Sequence, residues 1–275
     1  MNKYKKLKNA ILNISDSKNQ SISKAERDSY TVFIEMALMC SLMNIRQRYL
    51  DRCYSEEEMQ QYLIVKKSVI ENNESIKLIQ TKSSKIDEAY RIYAEIVQES
   101  EPFTDVLSLL HEEILLSGGR GDGLGQFFTP PDLARSLAMM LFNETTEYPS
   151  GTLQFSEPCC GSGALALAPL NQMIKTAPDR LRDVHLILND IDSLAVKSAI
   201  LQVLMTCIYH NIELSRVDVY NANLISQYMK GDTFFMCFET PTEKPEAFRA
   251  FKEMMRLVLD VEEDLKPQKE LAVEY

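Results

Sequence analysis

The 275-residue chain has no tryptophan, and its first 101 residues contain neither glycine nor proline. These two residues are the least favourable in helix interiors and the usual punctuation of turns. Their absence excludes a turn-rich first half and predicts an all-helical one. No stretch reaches the ~18 uninterrupted apolar residues of a membrane helix. Behind the start Met1-Asn2-Lys3-Tyr4-Lys5-Lys6 there is no apolar run, so neither a secretory signal nor a membrane anchor is expected. The six cysteines show no zinc spacing, and Cys159-Cys160 are adjacent, a poor arrangement for a metal or an ordinary disulfide. A reduced, cytoplasmic protein without a metal site is expected.

A basic stripe is missing too. The formal charge is −10, and the only dense cationic cluster is Lys3, Lys5, Lys6 and Lys8. Residues 1–100 carry 16 Lys/Arg against 14 Asp/Glu, so the remaining 175, with 14 against 26, hold the entire negative excess. A self-sufficient nucleic-acid binder usually shows a concentrated basic surface. An acidic partner would have to be met by a local patch or by another subunit.

What is present changes character near residue 117. Residues 30–45 are apolar nearly all round, as a buried helix is. Residues 85–97 and 103–116 repeat apolar positions at helical spacing. This predicts a helical bundle over 1–117 and a second unit over 118–275. The second unit opens with five glycines between Gly118 and Gly125, a hinge rather than a phosphate loop, since no Gly-Lys-Ser/Thr follows. Next comes Gln126-Phe127-Phe128-Thr129-Pro130-Pro131-Asp132, with Leu133, Leu137 and Met140/Leu141 behind it. Thr129 is placed to cap that helix, with Pro130 in its first turn and Asp132 completing a capping box.

Four strands are predicted beyond it. Residues 152–156 end in Glu157-Pro158-Cys159-Cys160-Gly161-Ser162-Gly163, and a helix begins at Ala164. Residues 184–188 end at Asn189-Asp190-Ile191-Asp192; residues 216–220 at Asn221-Ala222-Asn223; residues 233–238 at Glu239-Thr240-Pro241-Thr242. A strand, a Gly-x-Gly turn and a helix open a nucleotide-binding βαβ unit, and Asp190 follows Gly163 at about the interval of a ribose-binding acid. Helix N-cap is the alternative role for Asp190. Each strand is expected to deliver polar residues to the rim where open α/β sheets bind ligands.

Gly125–Pro130, Glu157–Leu165 and Asn189–Asp192, in that order, resemble the S-adenosylmethionine motifs of adenine-specific (amino-methylating) DNA methyltransferases, most of all the modification subunits of type I restriction systems. The resemblance covers roughly residues 118–242. It implies a Rossmann-like S-adenosylmethionine-binding domain behind the helical one. Phe128, Thr129 and Pro130 would border the methionine end of the cofactor. Glu157 and the turn through Pro158, Gly161 and Gly163 would surround its amino-acid portion. Asp190 would take the ribose, Ile191 the face of the cofactor adenine and Asn223 that adenine's amino group. DNA is the implied substrate, reached with a specificity or partner subunit.

One departure concerns catalysis. The family carries Asn/Asp-Pro-Pro-Tyr/Phe after its fourth strand, where this chain has Glu239-Thr240-Pro241-Thr242. Glu239 and the Thr240 carbonyl could still accept hydrogens from the target amine, but Thr242 cannot stack on a flipped-out base, a contact worth roughly 1–3 kcal/mol. A non-catalytic descendant acting through protein contacts, as a decoy or regulator of restriction, is therefore the rival expectation. The other departure is a shortened sheet. The fourth strand is expected to be an edge, covered by a partner or a second copy.

Overall fold

The computed structural model describes residues 3–15, 21–52, 54–70, 73–116, 129–143, 145–227, 230 and 232–240. The glycine hinge, Phe128, Pro241 and everything after it lie outside the described residues. The first half runs α1 (Lys3–Leu12), α2 (Ile22–Asp51), α3 (Glu56–Met59), β1 (Leu63–Val65), α4 (Lys67–Ile70), α5 (Asn73–Glu99) and α6 (Ser108–His111), with a π-helical turn over Glu112–Leu116. There follow α7 (Pro131–Leu141), β2 (Leu153–Glu157), α8 (Ala164–Thr176), a 3₁₀ turn over Pro178–Asp183, β3 (Val184–Asp190), α9 (Ser193–Tyr209), β4 (Arg216–Asn221), α10 (Leu224–Gln227) and β5 (Phe234–Glu239). The fold is mixed α/β, and no described helix is long and apolar enough to cross a membrane.

The five strands form one sheet in the order β1-β5-β4-β3-β2. Three neighbouring strands, β4, β3 and the edge strand β2, are parallel, in register from Leu153↔Val184 and from His185↔Arg216. Their alternation sets the faces. Leu153, Val184, Leu186, Leu188, Val217 and Val219 point to the core. Gln154, Ser156, His185, Arg216, Asp218 and Tyr220 fall on the other face, most of them at least partly exposed. Parallel strands covered on both sides read as continuous apolar runs; the alternation here is polar on one face, and the described helices clothe the other.

That clothing is α8 and α9, and outside α9 lie the first-half helices. Val196, Ala199, Ile200, Val203 and Leu204 of α9 enter the core shared with the sheet. Leu194, Leu201 and Met205, on its opposite side, enter a second core with α1, α2 and α5. Both cores draw residues from either side of residue 117. A helix so enclosed must satisfy its polar groups internally. Lys197 Nζ meets Glu35 Oε1 of α2 at 2.6 Å, with both side chains more than nine-tenths buried.

Four expectations need correction. The first half is not all-helical, because Leu63-Ile64-Val65 forms β1 and pairs antiparallel with β5 through Leu63↔Phe238 and Val65↔Met236. The fourth strand is consequently not an edge; β1 covers it. Second, no single helix spans 103–116. Phe103 adopts φ 59° after Pro102, and Asp105 Oδ1 accepts the Ser108 N–H at 3.1 Å, so the helix starts at Ser108. Third, Thr129 does not cap α7. Pro131 forces Pro130 into an extended conformation (ψ 137°), which makes Pro130 the N-cap, without a side-chain bond. In α7 the residues facing inward are Ala134 and Ala138, while Leu133, Leu137, Met140 and Leu141 are exposed. Fourth, β5 runs antiparallel to β4. A parallel return needs a crossover of roughly a dozen residues or more, usually containing a substantial helix. The connection from Asn221 to Phe234 has only the single-turn α10.

Replacing Lys197 by Met should destabilise the protein by about 3–5 kcal/mol, because the buried Glu35 carboxylate loses its 2.6 Å ion-pair partner. Adding Glu35→Leu should restore most of that loss. Urea unfolding at constant m-value measures both, and a double variant as unstable as the single one would refute the pairing.

Candidate functional site

The site begins with two strand ends. β2 and β3 lie side by side, and their ladder continues past Glu157 when the Cys160 N–H donates to Asn189 O at 2.9 Å. The chain then turns tightly. The Gly163 N–H donates to Cys160 O at 2.8 Å, and Gly161 and Gly163 take φ 52° and 112°. At Gly163 a Cβ would also meet Cα and Cβ of Ala199 in α9 at 3.3 Å. Conformation and packing both require glycine there, and the small contact lets α8 start close against α9.

Asp190, at the end of β3, holds this turn. Its Oδ2 accepts the Gly161 N–H at 2.8 Å and its Oδ1 the Asp192 N–H at 2.9 Å. It is not the N-cap of α9; Asp192 is, accepting from Leu194 and Ala195. Each Asp190 oxygen retains a further lone pair, so the brace is compatible with a ligand hydroxyl. Glu157 stands nearby. Burial, with the Asp190 charge adding to it, pushes its carboxyl above the usual range, against the lowering effect of the Cys159 N–H. Two carboxyls on one rim suit a cationic ligand.

The third strand closes the rim. Asn221 Nδ2 donates to the carbonyls of Asp190 (2.8 Å) and Ile191 (3.1 Å), and Ile191 is about half exposed. Asn223 Oδ1 caps α10 by accepting from Ile225 and Ser226. Its Nδ2 has no hydrogen-bond partner among the described residues, so what Asn223 can offer a ligand is a donor. On the flank, α7 packs along α8, and Pro131 and Ala164, the first residues of the two helices, line one small crevice. Thr129 and Pro130 therefore enter beside the Gly163 end of the turn. Glu157, Pro158, Gly161, Gly163, Asp190, Ile191 and Asn223 are brought together at one end of the sheet.

Glu239 and Thr240 are not. Because β5 is antiparallel, Glu239 pairs with Arg216 at the start of β4, roughly 17 Å along the strand from the rim at ~3.3 Å per residue. Both residues are engaged there. The Glu239 carboxylate meets Arg216 at 3.1 Å, its carbonyl accepts the Tyr49 hydroxyl, and Thr240 Oγ1 donates to Leu214 O at 2.6 Å. The catalytic role that the motif position suggested for them is corrected by the strand direction.

Sequence reasoning passed over the residue that locks the turn to the helical half. Gln202 Nε2 donates to Ser162 O (2.9 Å) and Asp105 Oδ1 (3.0 Å), and its Oε1 accepts from the backbone of Val106 (2.7 Å) and Leu107 (3.1 Å). Ser162 Oγ donates to Ser108 Oγ at 2.8 Å beside it. The available signal was an amide inside the apolar run Ile200-Leu201-Gln202-Val203-Leu204, which must find partners wherever it is buried. Gly163→Ala should cost at least about 1 kcal/mol, since alanine adds left-handed strain to the 3.3 Å contact. An unchanged urea midpoint would refute this account of the turn.

The N-6 DNA Methylase family matches residues 103–236. No curated protein matches the chain. Among solved structures it is similar to the crystal structure of a modification subunit of a putative type I restriction enzyme from Vibrio vulnificus YJ016, at 10% identity and a TM-score of 0.42. That match covers 80% of this chain and 55% of the other, so the chain spans about half the length of that protein. Over residues 103–236, just under half of its length, the chain is DNA adenine methyltransferase-like, similar to the N-6 DNA methylase family.

Proposed function

We propose that the chain binds S-adenosylmethionine at the rim of β2, β3 and β4 and serves methyl transfer to the exocyclic amine of adenine in DNA. One observation carries the reading. The Asp190 carboxylate bonds the Gly161 N–H, which joins the glycine turn and the strand-end acid into a single surface. When bound, the cofactor supplies an electrophilic methyl group on a sulfonium. The residues fit that group: Glu157 and Asp190 supply negative charge for a cation, the Pro158–Gly163 turn allows close backbone approach, and Thr129 and Pro130 flank it. The remaining Asp190 lone pairs would take a ribose hydroxyl. Ile191 and Asn223 Nδ2 would meet the cofactor adenine, Nδ2 donating to a ring nitrogen.

DNA, in this reading, is reached together with a partner or specificity subunit, because the acidic half of the chain offers little attraction for phosphates. Target-base residues come from elsewhere than Glu239 and Thr240. A second reading, a cofactor-binding protein without transfer activity, is favoured by the commitment of those two residues to Arg216 and Leu214.

Calorimetry should detect S-adenosylmethionine binding, weakened at least about tenfold by Asp190→Ala and less by Asp190→Asn, which keeps one acceptor. A hydrogen bond to a charged group is worth roughly 1.5–3 kcal/mol. No heat from the unmutated protein would overturn the reading. Tritium from the methyl group should appear in DNA adenine, with Glu239→Ala labelling as the unmutated chain does. Cofactor binding without label identifies the second reading.

The raised carboxyl of Glu157 adds a pH dependence. The ionised form attracts the cation, so affinity should rise as pH increases through that raised value and be flat there in Glu157→Gln. Titrations from acid to neutral pH decide it; the same slope in both proteins would remove Glu157 from the site.

A further inference from the structure

The face of the sheet that no described helix covers holds a cavity of about 440 Å³, within the size range of small-ligand sites. It begins at the rim, where Pro158 and Asn189 line it, each directly preceding a segment of the candidate cofactor site. From there it runs across the sheet past Ser156 and Ile187 to Tyr220 and Phe234. Of the two walls, the rim wall is polar and the far wall aromatic. The rings of Tyr220 and Phe234 meet edge to face, 5.9 Å between centroids, so a ring face remains for a flat ligand to stack on. Among the described residues no carboxylate lines the cavity, and the one charged lining residue is Lys230.

Asn189 supplies the specificity. Both hydrogens of its Nδ2 are used, to Pro158 O at 2.8 Å and Ala222 O at 3.2 Å, which fixes the orientation of the amide. Its Oδ1 is buried without a hydrogen-bond partner among the described residues, although the residue is more than nine-tenths buried. A buried acceptor left unpaired costs about 1–3 kcal/mol, and a ligand that donates to it relieves that cost. The aromatic wall and the unmet acceptor together describe a flat heteroaromatic ring bearing an amine.

We propose that this cavity is a chamber for one adenine-type base, its ring stacked on Tyr220 and its exocyclic amine donating to Asn189 Oδ1. As the place of the substrate base, the chamber rests on the reading under Proposed function; as a base-binding cavity it stands by itself. It supplies on the sheet face the aromatic contact that Thr242 cannot give. The base can come from a nucleic-acid strand or from a free nucleoside, and the two are separable.

The test uses the full chain and fluorescence anisotropy of short single-stranded oligodeoxynucleotides, identical except at one central position. Adenine there should bind on the order of tenfold more tightly than an abasic residue. Unsubstituted purine, which stacks but lacks the amine, should fall between them. Tyr220→Ala, and independently Phe234→Leu, should reduce the adenine preference while leaving the calorimetric S-adenosylmethionine signal and the unfolding midpoint near those of the unmutated chain. Adenosine competing as well as the adenine oligonucleotide assigns the chamber to free nucleosides; much weaker competition assigns it to a strand. Equal binding of adenine and abasic strands with no competition by adenosine, or preference unchanged in both variants, overturns the proposal. Discrimination without cofactor heat overturns the cofactor reading and leaves the chamber standing. Cofactor heat without discrimination does the reverse.

Discussion

The enclosure of α9 is the constraint on which the rest depends. A seventeen-residue helix between a sheet and a helical layer has no solvent side, so each polar group on it must be answered by a residue from elsewhere. Lys197 is answered by Glu35, Ser198 is within hydrogen-bond distance of the Tyr30 hydroxyl at 3.3 Å, and Gln202 is answered by Asp105, Ser162 and two backbone amides. These bonds run to both layers. The helix thereby positions the glycine turn relative to the helical half, and Gly163 lies so close to Ala199 that an added Cβ would come within 3.3 Å of it.

The rim follows from this arrangement. Three parallel strands end together, and the groups at their ends bond one another before any ligand does: Asp190 to Gly161, Asn221 to two carbonyls, Asn189 to two more. A surface braced in this way loses little conformational freedom on binding, which is the energetic meaning of preorganisation. The same bracing consumes acceptors, so what remains for a ligand is second lone pairs, one amide donor at Asn223 and the exposed face of Ile191.

Local signals made much of this legible in the sequence. The four long strands lie within two residues of the apolar runs that announced them. The glycine turn and Asp190 were readable because spacing along the chain encodes a βαβ unit. Strand direction was not. The reversal of β5 depends on how little helix fits between Asn221 and Phe234, and the apolar content of β5 is the same in either direction. β1 was hidden for a different reason: three residues are too few for a periodicity, and they sit in a stretch whose lack of glycine and proline argued for helix. Gln202 was visible as an oddity, but its partners are 40 to 97 residues away and no local pattern names them.

The pairing of Leu63–Val65 with Met236–Phe238 also bears on how the molecule comes to be folded. The two segments come from far apart in the chain, so their union carries a large loop-closure cost and falls late in folding. Until β5 has been made, a newly synthesised first half holds an apolar, β-branched segment with no strand to pair with. The last gap in the sheet is closed by one of its earliest segments, and a chain arrested in between presents a sticky edge to its neighbours.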